Sequence, residues 1–342
     1  MNRRTFLGGV AAGLTLSDVV AQTPPSIPII DTHIHLFDPS RPGGVPWPSA
    51  NNPAHKVMYM PSLPSRYRKV VAGLGIVGAI EIECSPLLED NQWVLDVAQA
   101  DDIMVGTIGH LTPGTPEFRP NLERFHKNPL FRGIRHGLGR RPGGRGGRGR
   151  GGQEGQAAPA PPAAPAGYEV DNPAFVADLK ALAEADLVMD TADPSVSLLE
   201  GVVRVSDKVP NLRIVIDHLP QMWPTAAERP AYDATMKAIK DRPQIYTKVS
   251  EVLRKKEDGT IPTDLAFYKN RIDEIVDVFG MDRVLYGSDW PNGDQWLPVP
   301  VGFKIVHEYF MGKGQAAAEK YFWRNSIKAY KWVKRTASQR QA

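Results

Sequence analysis

Residues 27–35 read IPIIDTHIH, an apolar run that finishes on two histidines separated by one residue. Successive side chains of a β-strand point to opposite faces, so His33 and His35 point to the same face. In a closed barrel that face is the interior, where two imidazoles can share one cation or one substrate carbonyl. The run therefore predicts a buried first strand that carries functional groups at its end.

Short apolar runs rich in Val and Ile recur along the chain, as expected for strands buried on both faces. Eight such runs lie at 27–35, 77–84, 103–110, 131–136, 187–190, 212–218, 244–249 and 283–288. Segments with helical spacing lie between or after them, at 89–100, 174–185, 195–205, 231–240, 265–279 and 314–332. We expect Asp90, Asn172 and Asp193 to cap helices.

This alternation predicts an α/β fold, a (β/α)8 TIM barrel that forms one domain over residues 22–342. An open, doubly wound sheet is the alternative. We favour the barrel because polar residues stand at the carboxyl ends of strands one, four, six and eight. In an open sheet they would cluster at one crevice.

The first 21 residues are typical of an export signal. A pair of arginines, Arg3 and Arg4, precedes an apolar stretch of small residues that ends near Leu16. The pattern resembles a bacterial twin-arginine (Tat) signal, with cleavage expected after Ala21 and a periplasmic or secreted protein as the result. The stretch is far shorter than the roughly 20 residues that span a bilayer, so we expect no membrane partner. The single cysteine, Cys84, permits no internal disulfide, and we interpret it as a buried strand residue.

Residues 137–167 consist almost entirely of Gly, Arg, Pro and Ala, and we expect a disordered insertion in the loop after strand four. Five arginines offset by Glu154 give this segment a charge of about +4, which leaves about −1 for the rest of a chain whose net charge is +3. The basic balance therefore belongs to one segment and argues against a nucleic-acid-binding fold. A non-catalytic protein that binds RNA or a surface through the Arg-Gly repeats is the alternative from another class.

Two further strand ends carry chemistry. The eighth run continues through Gly287 and Ser288 to Asp289, and the sixth run finishes on Asp217 and His218. A carboxylate at a strand end can take a proton from water and return it to a leaving group. We therefore expect Asp289 and His218 to be catalytic, and Asp31 and Asp217 to orient the histidines that follow them in the chain.

These motifs together resemble the amidohydrolase superfamily, and in particular its branch of sugar lactonases and 2-pyrone-4,6-dicarboxylate lactonases. The resemblance rests on His33-x-His35, Asp217-His218 and residues 287–291 (GSDWP), and it spans about residues 28 to 330 apart from the insertion. Further matches are Glu83-Cys84-Ser85-Pro86 with Glu89-Asp90-Asn91, Gly133-Ile134-Arg135-His136 and Lys248-Val249-Ser250. It implies a TIM-barrel hydrolase in which Arg135, Lys248 and His136 bind a small-molecule substrate.

One departure bears on the cofactor. Binuclear members of the superfamily use a carbamylated lysine on strand four and a histidine on strand five, and strand five here (LVMD, 187–190) has no histidine. We therefore expect at most one divalent metal ion, zinc by preference, held by some of His33, His35, His218 and Asp289. A metal-free mechanism is the alternative.

The predicted reaction is the opening of a lactone, a cyclic ester of a sugar acid or dicarboxylic acid, by a water that Asp289 activates. The enzymatic alternative is metal-dependent, non-oxidative decarboxylation of an aromatic acid, because related barrels of the superfamily carry out that reaction.

Overall fold

The computed structural model describes residues 27–138, 168–191, 195–220 and 223–340, and it confirms the predicted barrel. Eight parallel strands are arranged side by side in chain order. Two hydrogen bonds, from the amide of Thr32 to the carbonyl of Tyr286 and from the amide of His35 to the carbonyl of Trp290, link the chain at and after the eighth strand to the first. The strands are Ile29–Ile34 (β1), Ile76–Ile82 (β2), Met104–Gly109 (β3), Phe131–Arg135 (β4), Val188–Asp190 (β5), Arg213–Ile216 (β6), Ile245–Lys248 (β7) and Val284–Leu285 (β8).

The helices form the outer layer. They are Pro64–Val70 (α1), Asp90–Ala100 (α2), Phe118–His126 (α3), Pro173–Glu184 (α4), Val196–Lys208 (α5), Arg229–Lys240 (α6), Leu265–Phe279 (α7), Val299–Gly312 (α8), Gln315–Glu319 (α9) and Asn325–Tyr330 (α10). The sequence patterns missed α1, α3 and α8. The helices predicted over 314–332 are two short helices joined by a π-helical turn, Lys320–Arg324. Among the described helices, none is both long and apolar enough to cross a membrane.

The predicted caps have different outcomes. Asn172 caps α4 as expected, since its side chain accepts a hydrogen bond from the amide of Ala174. The prediction for Asp90 is wrong, because this residue is the first of α2 and that helix has no capping side chain. Asp193 lies outside the described residues, and the cap of α5 is Ser195, which accepts from the amide of Leu198 at 3.2 Å.

Other predictions concern residues at the limits of the description. The proposed signal, 1–21, and residues 139–167 of the predicted insertion lie outside the described residues. Cys84 is half-buried and follows β2 rather than lying within it, so the prediction of a buried strand residue is wrong. Its thiol lies 3.7 Å from the carbonyl oxygen of Leu36.

The end of α10 and the residues just after it pack against the barrel interior. Tyr330 and Trp332 are buried with inward-facing aliphatic side chains of the strands, such as Ile30 and Val215. The start of β4 holds this segment in place, since the guanidinium of Arg132 donates to the carbonyl of Tyr330 at 3.0 Å. The interior is therefore filled in part by side chains of a segment for which the sequence pattern indicated only helices.

Gly133 marks a close approach between β4 and β5. A Cβ atom at this position would lie 2.2 Å from the carbonyl oxygen of Val188, which is a backbone atom and cannot rotate away. Only a residue without a Cβ fits at this point of the barrel wall. Arg135, two residues later and on the same face of the strand, ends β4.

We predict that Gly133→Ala destabilises the barrel by about 1–3 kcal/mol or more, because the methyl group forces the two strands apart. The midpoint of urea unfolding measures the effect. Gly312→Ala is the matched control: it lies at the end of α8, and its Cβ would meet nothing within 4 Å. Equal midpoints for Gly133→Ala and the wild type would show that the strands do not approach as described.

Candidate active site

Three imidazoles converge on one carboxylate oxygen. The Oδ1 atom of Asp289 lies 3.4 Å from Nε2 of His33, 3.3 Å from Nε2 of His35 and 3.9 Å from Nε2 of His218. All four side chains are buried. The structure therefore brings together the four residues that the sequence singled out from strands one, six and eight.

The backbone is left-handed at the ends of three successive strands. His218 after β6, Glu251 after β7 and Asp289 after β8 have φ values of 63°, 49° and 59°. A residue with a Cβ pays about 1–3 kcal/mol for an unfavourable conformation of this kind, and such residues concentrate at functional sites. Two of these three residues, His218 and Asp289, are predicted site residues. The third, Glu251, was not identified from the sequence, and its carboxylate lies 3.8 Å from Nδ1 of His218.

The other ring nitrogen of each histidine is also held. Nδ1 of His35 lies 2.7 Å from the carbonyl oxygen of Ile82, and Nδ1 of His218 lies 3.0 Å from the hydroxyl of Ser250. The imidazoles of His35 and His218 are thus fixed from the side away from Asp289, which leaves their Nε2 atoms directed at the carboxylate.

Lys248 is the centre of a buried ionic network next to these rings. Its side chain is 0% exposed, and Nζ lies 2.6 Å from Asp190 and 2.7 Å from Asp217. Arg135 pairs with the other oxygen of Asp217 at 3.0 Å, and the hydroxyl of Tyr330 donates to Asp190 at 2.7 Å. The sequence did not indicate the roles of Asp190 and Tyr330, because neither belongs to a recognisable motif.

The three predicted substrate-binding residues are placed differently. Arg135 is 14% exposed and donates to the carbonyl oxygens of Glu83 and Thr191. Lys248 is enclosed by its carboxylate partners, so we propose that it positions other residues rather than contacting a substrate. His136 packs its ring against Phe175 of α4, on the helix side of the barrel wall.

The two aspartates predicted to orient histidines have separate partners. Asp31 accepts hydrogen bonds from the amides of His33 and Ser288 and from the hydroxyl of Tyr67, so it ties β1 to the segment after β8. Asp217 does not contact its neighbour His218 in this way but lies 3.4 Å from Nδ1 of His33.

Trp47, in the long loop after β1, covers one side of the cluster. Its ring lies 5.4 Å from that of His35 and 5.9 Å from that of His55, in edge-to-face contacts. Edge-to-face pairs of this kind hold rings in defined orientations. The loop therefore forms part of the wall against which His35 is positioned.

Charges set the protonation of the cluster. Burial raises the pKa of Asp289, but the neighbouring His218, His35 and His33 outweigh it and hold that pKa below its ordinary value. Burial and the charge of Lys248 lower the pKa of His33 well below its ordinary value, against the opposing effect of Asp217. At neutral pH the carboxylate of Asp289 is therefore charged and the imidazole of His33 is neutral.

The donor set fits one metal ion. Ligand atoms of His33, His218 and Asp289 lie within 4.8 Å of one another. Nε2 of His33 and Oδ1 of Asp289 are buried, and neither has a hydrogen-bond partner among the described residues. Buried polar atoms without partners are costly, and a cation between them would satisfy both. The cluster could therefore hold a metal.

The chain is similar to known proteins over most of its length. The model of the amidohydrolase family matches residues 30–332. An L-fucono-1,5-lactonase of Burkholderia ambifaria is 24% identical over 262 residues, which cover 77% of this chain and 80% of that protein.

Two solved structures have the same fold. An amidohydrolase of Burkholderia multivorans with bound zinc has a TM-score of 0.72 at 17% identity, over 89% of this chain and 99% of that one. A probable 2-pyrone-4,6-dicarboxylic acid hydrolase of Acinetobacter baumannii, with bound citric acid, has a TM-score of 0.63 at 16% identity, again over 89% and 99%. Both likenesses confirm the barrel.

We predict a pH dependence of stability that originates at Asp190. Burial raises the pKa of this carboxyl from 3.8 to about 7, although Lys248 opposes the shift. Because the pKa of Asp190 is raised in the folded state, the stability that this carboxyl contributes is fully present below its unfolded pKa of 3.8. That contribution is lost as the pH rises through about 7. Asp190→Asn cannot titrate. Between pH 3.8 and about 7, the free energy of unfolding of this variant should therefore vary less with pH than that of the wild type. The difference in slope is up to about 1.4 kcal/mol per pH unit.

Urea unfolding of both proteins across that pH range measures the difference. Asp273→Asn is the control, because the pKa of Asp273 is lowered to about 2 through its contacts with Lys269 and Tyr309. Its contribution is present above 3.8 and is lost only towards lower pH, so this variant leaves the slope unchanged. Parallel curves for Asp190→Asn and the wild type would contradict the buried titration.

Proposed function

The chain belongs to the amidohydrolase family, and on that basis we propose that it is a hydrolase that opens the lactone of a sugar acid or dicarboxylic acid. The observation that carries the proposal is the convergence of three imidazoles on the carboxylate of Asp289. The similarity to a sugar lactonase supports a cyclic ester as the substrate.

In the proposed reaction Asp289 accepts a proton from water as the water oxygen attacks the ester carbonyl. The imidazoles of His33, His35 and His218 polarise that carbonyl, and Arg135 stabilises the negative charge that develops on its oxygen. The ring C–O bond then breaks, and Asp289 returns its proton to the leaving alkoxide. The product is an open-chain hydroxy acid, and no atom beyond those of water is added.

We also propose that the cluster holds one divalent ion, zinc by preference. His33, His35, His218 and Asp289 offer nitrogen and oxygen ligands that suit zinc. When bound, the ion would supply Lewis-acid polarisation of the carbonyl and of the attacking water. Asp289 gains most from such help, since a carboxylate with a lowered pKa is a weak base.

Elemental analysis of purified protein should find no more than about one ion per chain, because the described residues present three or four suitable ligands and zinc needs that many. The polar residue at the end of β5, Asp190, already accepts hydrogen bonds from Lys248 and Tyr330 and is therefore not counted among the ligands. Two tightly held ions per chain would contradict this ligand count.

Export stays a proposal, supported by Arg3, Arg4 and the apolar stretch that follows. Cell fractionation tests it, with a mature form beginning near Gln22 outside the cytoplasm as the expected result. The Arg-Gly segment offers the competing, non-catalytic function. If the protein acts by binding through the Arg-Gly segment, deletion of residues 138–166 abolishes its function. If it is a hydrolase, the same deletion preserves hydrolysis.

The central prediction concerns Asp289→Asn, which keeps the shape of the side chain and removes the proton acceptor. General base catalysis contributes about 10²–10⁴-fold, so kcat on the cleaved lactone should fall by at least the lower factor. Thermal unfolding of the same preparation establishes whether the variant is folded. Asp294→Asn is the matched control, since this residue follows closely in the chain but pairs with Arg66 at 3.8 Å.

The substrate panel should contain sugar lactones, 2-pyrone dicarboxylates and aromatic acids. We expect ring opening and its loss in Asp289→Asn, with turnover of Asp294→Asn close to that of the wild type. Release of CO2 from an aromatic acid, without lactone cleavage, would replace hydrolysis by decarboxylation. Near-normal lactone turnover by well-folded Asp289→Asn would overturn the mechanism.

A further inference from the structure

A cavity of about 450 Å³ lies on the helix side of the barrel wall, between β2 and α2. Glu81 of β2 lines it from the wall, and Val94 lines it from the helix. Ile80 and Ile82, the neighbours of Glu81, lie inside the barrel, so alternation along the strand directs Glu81 away from the interior. None of the four residues of the catalytic cluster lines this cavity in the part of the chain that the structure describes. It is therefore a separate space.

The carboxyl of Glu81 has no partner in this space. Its side chain is 1% exposed, and no hydrogen bond or ion pair joins it to another described residue. Burial of a polar group without a compensating hydrogen bond is costly, and burial of a charge more so. A ligand that donated to this carboxyl would remove the cost.

The charges of the lining indicate the sign of such a ligand. Among the described lining residues, Arg41 is paired with Asp90 at 2.7 Å, and these two compensate each other. Glu81 and Glu83 remain, and they leave an excess of negative charge. Burial and the charges of Glu83 and Asp90 raise the pKa of Glu81 well above its ordinary value, although Arg135 opposes the shift. What the cavity lacks is therefore a positive charge.

The rest of the lining suits a hydrocarbon body. Leu36, Val45 and Pro46 line the cavity, together with the indole ring of Trp47. Aromatic rings attract cations, and apolar side chains favour the carbon atoms attached to them. The lining therefore combines a carboxyl group with apolar and aromatic walls, which is the arrangement that recognises an organic ammonium ion.

We propose that this cavity binds a small primary amine, whose ammonium group pairs with Glu81 and whose apolar body lies against Leu36 and Trp47. The site is independent of the proposed hydrolysis and involves no bond making or breaking. It shares a wall with the catalytic cluster, because Trp47 also packs its ring on His35 at 5.4 Å.

The first test compares two probes of nearly the same shape on the full-length protein. Benzylamine carries the ammonium group, and benzyl alcohol replaces it by a neutral hydroxyl. Titration calorimetry should show benzylamine to bind at least about 10-fold more tightly, because a buried charge pair adds to affinity. Equal affinities, or no binding of benzylamine, would overturn the proposal.

Two variants locate the bound amine. Glu81→Gln keeps the shape of the side chain and removes its charge, so benzylamine should bind at least about 10-fold more weakly, with benzyl alcohol little changed. Asp289→Asn is the control for binding at the catalytic cluster, and we expect it to bind benzylamine as the wild type does. Loss of affinity in Asp289→Asn with none in Glu81→Gln would place the amine in the cluster and overturn the proposal.

Cys84 provides a local readout of occupancy. It is the single cysteine of the chain, and it lines the same cavity. Saturating benzylamine should slow its alkylation by iodoacetamide several-fold in the wild type but not in Glu81→Gln. An unaltered rate in the wild type would show that the amine binds elsewhere.

Stability of the empty protein gives a test that needs no ligand. Glu81→Met replaces the carboxyl by an apolar side chain of similar length, so the midpoint of urea unfolding should shift to a higher concentration. Asp90→Asn is the control, because it removes the partner of Arg41 and should not raise the midpoint. An unchanged or lower midpoint for Glu81→Met would show that the carboxyl is already satisfied in the empty protein, and it would overturn the proposal.

Discussion

The buried ammonium of Lys248 is the interaction around which the barrel interior is arranged. It joins β7 to Asp190 on β5, to Asp217 after β6 and to His33 on β1. Removing one partner of a buried ion pair typically costs about 3–5 kcal/mol, because the remaining charge is then unpaired. Since Tyr330 also donates to Asp190, the same network fastens the C-terminal segment inside the barrel. The stability of the barrel and the orientation of the His33 imidazole therefore depend on one group of charges.

The strained strand ends complement this network. His218 and Asp289 adopt left-handed backbone conformations, and the amide of Asp289 donates to the carbonyl of His33 at 2.9 Å. Gly287 allows this closeness, because a Cβ there would lie 2.8 Å from the Cβ of His33. Backbone contacts of this kind hold unfavourable conformations in place, so the side chains of His218 and Asp289 are fixed in position.

The sequence predicted what depends on local pattern. The eight strands follow from apolar runs, and the convergence of His33, His35, His218 and Asp289 follows from the rule that barrel sites lie at the carboxyl ends of strands. The ionic network around Lys248 could not be found in this way. Asp190, which pairs with Lys248, and Tyr330, which donates to Asp190, are 140 residues apart in the chain and share no motif. His136 shows where a motif misleads. Side chains alternate along a strand, so His136 points outward when its neighbour Arg135 points inward. The motif alone did not indicate which of the two residues would face the site.

The His-x-His pair illustrates why pattern and proximity are not enough to assign roles. Alternation makes His33 and His35 equivalent in the sequence, and both Nε2 atoms lie within 3.4 Å of the same carboxylate oxygen. What distinguishes them is contributed from behind by other strands: a carbonyl at the end of β2 for His35 and an ammonium at the end of β7 for His33. A carbonyl can only accept, so Nδ1 of His35 carries a proton, whereas Nδ1 of His33 lies between the ammonium of Lys248 at 3.2 Å and a carboxylate oxygen of Asp217 at 3.4 Å. The two histidines are therefore held by different partners at Nδ1, although both direct Nε2 at the carboxylate of Asp289.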